Sequence, residues 1–270
     1  LMNQPASLNS YTLNNGVQLV AFHPLILGTF QNRMEKMNFI VDLVVTRHLT
    51  TFTHSVMVSY LAEAIGKHIL AARPELLRIP SSYLEGNVYA SPAEVLDYIV
   101  PAALFHDIGK NGMIPIINTQ HRKLNDYEFN IIQTHPQKGS DYLSSDPDFL
   151  IYQPVALGHH RSYDGTRGYP LSFDNTASPY RDAIDLIHIC DCLDAATDYL
   201  SRNYHRAKPF DVVLNELKAG RGTEYNPDMV DVILSDRELY NDLKMLTEQN
   251  RENIYYDIYL TFVNLRKKRQ

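Results

Sequence analysis

Apolar side chains recur at helical spacing along most of the chain after about residue 30. Behind His54, positions three and four residues apart are apolar, which predicts a long amphipathic helix. These positions are Val56, Tyr60, Leu61, Ala64, Ile65 and Ile69. Ser91-Pro92-Ala93-Glu94 combines an N-cap, a first-turn proline and a capping-box glutamate, and predicts a helix running toward His106-Asp107. The pattern predicts an all-α fold.

Later segments carry similar helix-start signals and are followed by apolar positions at helical spacing. They begin near Asn125, Ser178 and Asn226. A last helix is predicted over residues 250 to 268. The connection over residues 161 to 176 is rich in Gly, Asp, Tyr and Pro and carries no helical pattern. Connections of this length in compact domains are often functional.

The first 30 residues differ from the rest of the chain. Ser10–Phe22 is compatible with β-structure and is centred on Asn14-Asn15-Gly16, a turn signal. We therefore predict an N-terminal arm or hairpin over residues 1–30 and a helical domain over residues 31–270. The predicted helix over residues 30 to 48 could pair with a second copy of the chain, which would make a homodimer.

Charge and cysteine content narrow the function classes. The formal net charge is -6, so a broad basic face for duplex nucleic acid is not expected. A small anionic substrate would need a local positive charge, which metal ions supply. Two cysteines, Cys190 and Cys192, are too few for a disulfide framework and indicate a reducing compartment. We therefore expect a cytoplasmic protein.

The N-terminal sequence predicts no membrane span. The apolar stretch over residues 17 to 30 is broken by His23 and Pro24 and is too short to cross a bilayer. The chain starts at Leu1 and not at Met. Leu1 is compatible with an expression remnant, and equally with a fragment that lacks an upstream regulatory part or signalling partner.

The 11 histidines are unevenly placed, and several stand beside or between aspartates. The candidate ligands are His54, His106-Asp107, His135, His159-His160 and Asp191. Imidazole and carboxylate together suit iron, manganese, nickel or zinc. A carboxylate that bridges two ions about 3.5–4 Å apart supports in-line attack on a phosphoryl group. Each residue alone is a weak signal, because most buried histidines are structural.

The ordered set carries more information than its parts. It runs His54, His106-Asp107-Ile108-Gly109-Lys110, His135-Pro136, His159-His160, Asp164-Gly165, Gly168-Tyr169-Pro170 and Asp191-Cys192-Leu193-Asp194-Ala195. This set resembles the HD-GYP family, a branch of the HD phosphohydrolases known for hydrolysing cyclic dinucleotides, mainly cyclic di-GMP. Leu124-Asn125-Asp126-Tyr127-Glu128-Phe129 also resembles the family's segment before its third His. The resemblance covers roughly residues 54 to 234 and implies an all-α HD-domain helical bundle.

The resemblance implies a site with two divalent metal ions, iron or manganese first and nickel or zinc also compatible. The ligands of the first ion would be His54, His106, Asp107 and Asp191. The ligands of the second would be His135, His159 and His160, with Asp107 bridging both. Asp107 and Lys110 would be the catalytic residues, since a hydroxide between the ions would attack phosphorus while Lys110 contacts a phosphate oxygen. Apart from the resemblance, Asp194 lies one turn after Asp191 and could support a ligand from behind or stabilise the helix; we expect the former.

The resemblance also implies substrate contacts, and here the chain departs from the family. Gly168-Tyr169-Pro170 would shape the loop beside the substrate, and Arg202 would contact phosphate. Arg161 stands where the family usually has Glu, and this loop is one residue longer. Thr50 stands where some members have a third-metal Glu, so two ions are expected. Arg161 and Arg167 could attract an anionic substrate, although a solvated surface is the simpler interpretation of Arg167.

Three functions remain open at this point. The first is a cyclic-dinucleotide phosphodiesterase acting on cyclic di-GMP. The second is an HD-type hydrolase of another nucleotide, such as mixed cyclic GMP-AMP, which the altered loop favours. The third is a nucleotide sensor or scaffold, favoured by Arg161 but disfavoured by the complete ligand set and Lys110. His188, three residues before Asp191, either faces the metals or supports the site from the core.

Overall fold

The computed structural model describes residues 10–12, 18–20, 30–47, 49–81, 88–113, 123–201 and 206–268. Two short antiparallel strands, β1 (Ser10–Thr12) and β2 (Gln18–Val20), pair with Ser10 opposite Val20. This pairing agrees with the predicted hairpin. The domain boundary at residue 30 stays a prediction.

Helices make up most of the rest of the described chain, which confirms the all-α prediction. They are α1 (Arg33–Arg47), α2 (Leu49–Ala72), α3 (Pro92–Phe105), α4 (Asp126–Ile132), α5 (His135–Ser144), α6 (Gln153–Gly158), α7 (Arg181–Thr197), α8 (Phe210–Ala219), α9 (Pro227–Ser235), α10 (Arg237–Lys244) and α11 (Arg251–Lys268). Short 3-10 turns include Ile108–Gly112 and Asn175–Ala177, and a π-helical turn covers Met245–Gln249. Within the described residues, no helix is long and apolar enough to cross a membrane.

Helix α2 is the centre of the bundle and packs against both α3 and α7. Its residues Leu61, Ile65 and Ile69 are fully buried, as the apolar spacing predicts. Tyr60 differs, with 41% of its surface exposed. The helix begins at Leu49, so His54 lies inside it and not at its start as the sequence suggested. This earlier start places the His54 side chain in the bundle interior, where it is 4% exposed.

Both predicted capping boxes are present, at the start of α3 and at the start of α4. The Ser91 hydroxyl accepts from the Glu94 amide, and the Ser91 amide donates to the Glu94 carboxylate. Asn125 and Glu128 make the same reciprocal pair at 2.9 Å each. Helix α3 then ends at Phe105, which leaves His106-Asp107 at its C-terminal end. Local sequence therefore sets where α3 begins, and where α4, which directly precedes α5, begins.

Candidate metal centre

Five segments of the bundle bring all seven predicted ligands to one buried place. His54 comes from α2, His106-Asp107 from the end of α3, His135 from the first residue of α5, His159-His160 from the end of α6, and Asp191 from α7. His106, His135 and His159 are fully buried, and Asp107 is 2% exposed. Within three subsets of these residues, the ligand atoms lie within 4.8 Å of one another. These subsets are Asp107 with His135, His159 and His160; His54 with His106 and Asp107; and His106 with His159 and Asp191.

The two carboxylate oxygens of Asp107 face different sets of imidazoles. Oδ1 lies 3.0 Å from His135 Nε2 and 3.8 Å from His159 Nε2. Oδ2 lies 3.7 Å from His54 Nε2 and 3.6 Å from His106 Nε2. Asp107 therefore has the geometry of a carboxylate shared between two adjacent cation positions.

Asp191 is the second carboxylate of the centre. Its Oδ1 lies 3.0 Å from His54 Nε2, and its Oδ2 lies 3.6 Å from His160 Nδ1. It is 7% exposed. Two carboxylates among five imidazoles give the mixed oxygen and nitrogen donor set that borderline divalent cations favour.

Hydrogen bonds behind the rings fix which nitrogen faces the centre. The Nδ1 atoms of three histidines lie within hydrogen-bond distance of carbonyl oxygens three residues earlier: His106 with Ala103, His135 with Ile132 and His159 with Ala156. His54 Nδ1 lies 2.6 Å from Asp194 Oδ2. Carbonyl and carboxylate oxygens only accept, so each of these Nδ1 atoms carries a proton and each Nε2 is directed toward the centre. Metal-ligating histidines in proteins are held in this way.

Several buried atoms of the centre have no hydrogen-bond partner. They are His54 Nε2, His106 Nε2 and Asp107 Oδ1. Leaving polar atoms unpaired in the interior is costly unless something binds them. A cation would satisfy all three, so the residues present fit a metal ion.

The electrostatics of the centre agree with metal ligation. Burial lowers the pKa of His159 and His160 well below 6.5. Burial opposes ionisation of Asp107, but Lys110 and the neighbouring histidines hold the pKa of this carboxyl well below 3.8. Burial also disfavours charged His54, yet the carboxylates of Asp191 and Asp194 raise its pKa to about 9. Without a cation these carboxylates favour a proton on His54, and a bound metal ion would take the place of that proton.

The 3-10 turn Ile108–Gly112 positions Lys110 and packs closely on α5. Lys110 Nζ contacts Asp107 Oδ2, and the Lys110 side chain is 18% exposed. The i,i+3 spacing matches a 3-10 turn, so Lys110 faces Asp107 without a continuous α-helix. A Cβ on Gly109 would lie 1.9 Å from the His135 carbonyl oxygen. Glycine is therefore required for α5 to approach the His-Asp pair.

The loop after His160 is folded around one buried guanidinium. Arg161 is 4% exposed and donates hydrogen bonds to the carbonyl oxygens of Gly165, Arg167, Gly168 and Phe173. Its donors are engaged within the loop, which argues against the expected role in attracting an anionic substrate. The Arg167 side chain is 60% exposed and pairs with Glu224 at 3.2 Å, in agreement with a solvated surface.

Gly168-Tyr169-Pro170 lies against the histidine cluster. Gly168 has φ of 86°, and a Cβ there would lie 1.8 Å from the His160 carbonyl oxygen. The Tyr169 ring lies 4.5 Å from the His160 ring and 6.1 Å from the His135 ring. The peptide bond between Tyr169 and Pro170 is cis. Arg202 lies outside the described residues, so its contact with phosphate stays a prediction.

Three further residues surround the ligands, and one of them gave no sequence signal. His188 does not face the centre: its Nδ1 is 2.7 Å from the His159 carbonyl oxygen, and its Nε2 is 3.3 Å from Glu224. Asp194 contacts His54 from behind, as predicted. Its other oxygen pairs at 2.8 Å with Arg251, which no motif indicated.

Comparison with known proteins identifies a family that agrees with the geometry of the site. A family model described as "HD domain" matches residues 51–203. A cyclic di-GMP phosphodiesterase of Vibrio cholerae is 26% identical over 74% of this chain and 41% of its own length. A 3'3'-cGAMP-specific phosphodiesterase 2 of the same organism is 25% identical over 74% of this chain and 37% of its own length. The chain thus spans about two-fifths of the length of these curated relatives.

A crystal structure of the HD domain of Listeria monocytogenes phosphodiesterase PgpH aligns with 83% of this chain and 98% of that chain, at 18% identity and a TM-score of 0.42. The family assignment rests on the sequence match, which covers more than half of the chain and contains all seven clustered ligands. The chain belongs to the HD domain family, and its motifs and phosphodiesterase relatives assign it to the HD-GYP branch.

Proposed function

We propose that this chain is a metal-dependent phosphodiesterase that hydrolyses a cyclic dinucleotide, with cyclic di-GMP as the first substrate to test. The carrying observation is Asp107, whose two oxygens face separate sets of buried imidazoles. One cation would be held by His54, His106, Asp107 and Asp191. The other would be held by His135, His159, His160 and the shared Asp107. Iron and manganese suit this donor set best, and nickel and zinc are compatible with it.

Paired divalent cations supply Lewis acidity and an activated water for in-line phosphodiester hydrolysis. The chain's own residues would do the rest. Lys110, partly exposed beside Asp107, would offset charge that develops on a phosphate oxygen. Gly168-Tyr169-Pro170 would border the substrate where Tyr169 covers His160. The predicted Arg202 contact, homodimer, upstream regulatory part and cytoplasmic location stay predictions.

Metal content and hydrolysis, measured on the same preparation, test this function. We expect about two metal ions per chain after reconstitution with Mn²⁺ or Fe²⁺, and cleavage of cyclic di-GMP. Asp107→Asn should lose both, because the shared carboxylate charge is removed. His68→Ala is the matched control, since His68 is a partly buried histidine paired with Asp236 and not with the cluster. Protein that binds no metal after reconstitution would refute the proposal.

A second candidate substrate is mixed cyclic GMP-AMP. The 3'3'-cGAMP-specific relative matches as much of this chain as the cyclic di-GMP relative does. The Arg161-centred loop, where the family usually has Glu, borders the same site. A panel of cyclic di-GMP, 3'3'-cGAMP and cyclic di-AMP at equal concentration separates the two by relative kcat/KM. Two metals without cleavage of any of them would instead support a nucleotide sensor.

A further inference from the structure

A line of three buried side chains runs from the metal centre to the last helix. His54 Nδ1 lies 2.6 Å from Asp194 Oδ2, and Asp194 Oδ1 lies 2.8 Å from Arg251 Nη1. Asp194 and Arg251 are fully buried, and His54 is 4% exposed. The two oxygens of Asp194 therefore face different neighbours: Oδ2 faces His54, and Oδ1 forms an ion pair with Arg251, whose Nη1 also lies 3.7 Å from Asp198 Oδ1.

The Arg251 guanidinium is held in one orientation by its remaining donors. Its Nε donates to the Thr247 carbonyl oxygen at 3.1 Å, and its Nη2 donates to the Thr197 hydroxyl at 2.9 Å. The π-helical turn Met245–Gln249 ends just before Arg251, which is the first residue of α11. A planar guanidinium with three fixed nitrogens orients a carboxylate more firmly than a flexible ammonium does.

The contacts of Arg251 and Asp194 reach the part of the metal centre that contains His54. Asp194 contacts the ring of His54, which belongs to the proposed site shared with His106. His135 and His159, on the opposite side, are held by the carbonyl oxygens of Ile132 and Ala156. Loss of Arg251 should therefore loosen the His54 ring and leave the other histidines in place.

We propose that Arg251 is a positioning residue for the metal centre, acting through Asp194 on His54. It lies outside residues 51–203, so the last helix adds a support that the matched HD segment does not contain. The proposal rests on the proposed metal-dependent function, because it assigns the ring orientation of a metal ligand. Its effect is selective: it concerns the cation held by His54.

Mn²⁺ titration of the full chain against a competing chelator tests this role. Wild type should bind two Mn²⁺ ions. Arg251→Lys should weaken one of the two by roughly 10–100-fold, the usual cost of losing an outer partner of a metal ligand, and leave the other unchanged. Tyr256→Phe is the matched control: it removes a hydroxyl from the exposed side of the same helix, and should change neither affinity.

Two more variants separate positioning from general damage. Ile258→Ala shortens a buried side chain of α11 about two turns after Arg251, and should lower the unfolding temperature without separating the two Mn²⁺ affinities. In an Asp194→Asn background, Arg251→Lys should have no additional effect on Mn²⁺ binding. The carboxylate through which Arg251 acts on His54 is already absent in that background.

Several results would overturn the proposal. Unchanged Mn²⁺ affinities in Arg251→Lys would do so, as would equal loss of both affinities or additive loss in the double variant. If Arg251→Lys fails to fold, Thr197→Val replaces it, since it removes the Nη2 partner without removing the charge. Two Mn²⁺ ions in wild type without hydrolysis would refute the proposed function alone. No Mn²⁺ binding in wild type would refute both.

Discussion

Replacing Gly109 by alanine should disrupt the cation position formed by His135, His159 and His160. The added methyl would lie 1.9 Å from the His135 carbonyl oxygen and 2.5 Å from the Gly139 amide nitrogen, both backbone atoms. To reach even 3.0 Å from the carbonyl oxygen, α5 must move by about 1.1 Å relative to the turn that carries Asp107. His135 Nε2 and Asp107 Oδ1 are now 3.0 Å apart.

Metal sites tolerate ligand displacements of roughly 0.2 Å, several times less than this shift. We therefore expect Gly109→Ala to lose the cation held by His135, His159 and His160. Hydrolysis should fall by about 100-fold or more, as misplacements near 1 Å do elsewhere. Overpacking should lower the free energy of unfolding by about 1–3 kcal/mol.

Gly112→Ala is the matched control, because it lies in the same 3-10 turn and its nearest neighbour would be Lys138 Cδ at an ordinary 3.6 Å. For both variants we would measure the metal content by elemental analysis, the rate of hydrolysis and the stability by thermal unfolding. Two bound metals and normal turnover in Gly109→Ala would show that α5 and the turn adjust freely. The reasoning from close packing would then be wrong.

Three further outcomes can be checked on the same preparation. Lys110→Met should keep both metals and lower kcat, measured by steady-state hydrolysis, because the ammonium touches Asp107 but is not in the ligand set. Arg161→Met should increase proteolysis of the loop while Arg167→Met does not, because Arg161 alone of the two is buried in it. Burial raises the pKa of Asp185 to about 7 despite an Asn226 hydrogen bond, so its neutral form is favoured in the folded state. Its contribution to stability should therefore fall as pH rises from about 4 to 7, and urea unfolding of Asp185→Asn should lack that fall.

The elements that the sequence predicted correctly are those set by neighbouring residues. The capping boxes at Ser91 and Asn125 depend on positions three apart, and both are present. The order of the His and Asp motifs identified the seven side chains that the fold brings together. Long-range partners were harder to foresee: His54 and Asp194 are 140 positions apart, and nothing near Arg251 indicates its buried carboxylate. Only the packing of α2, α7 and α11 makes these contacts.

The loop residue Arg161 shows a different limit of sequence interpretation. A positive charge next to a ligand suggested electrostatic attraction of substrate, yet the side chain turns inward and binds carbonyl oxygens. Residue type alone does not distinguish an arginine that faces solvent from one that replaces missing backbone hydrogen bonds. The one-residue difference in loop length from the family made this conformation impossible to transfer.

That inward-facing arginine has a consequence for redesign of the loop. Its hydrogen bonds end on main-chain oxygens, which every amino acid carries, so they place little demand on the identity of the loop's exposed side chains. Gly165 and Gly168 must remain because of their positive φ angles. Leu171 and Ser172, both exposed, are open to variation. A library randomised at these two positions would test whether the loop surface affects the nucleotide preference of the proposed phosphodiesterase while the metal-centre residues stay unchanged.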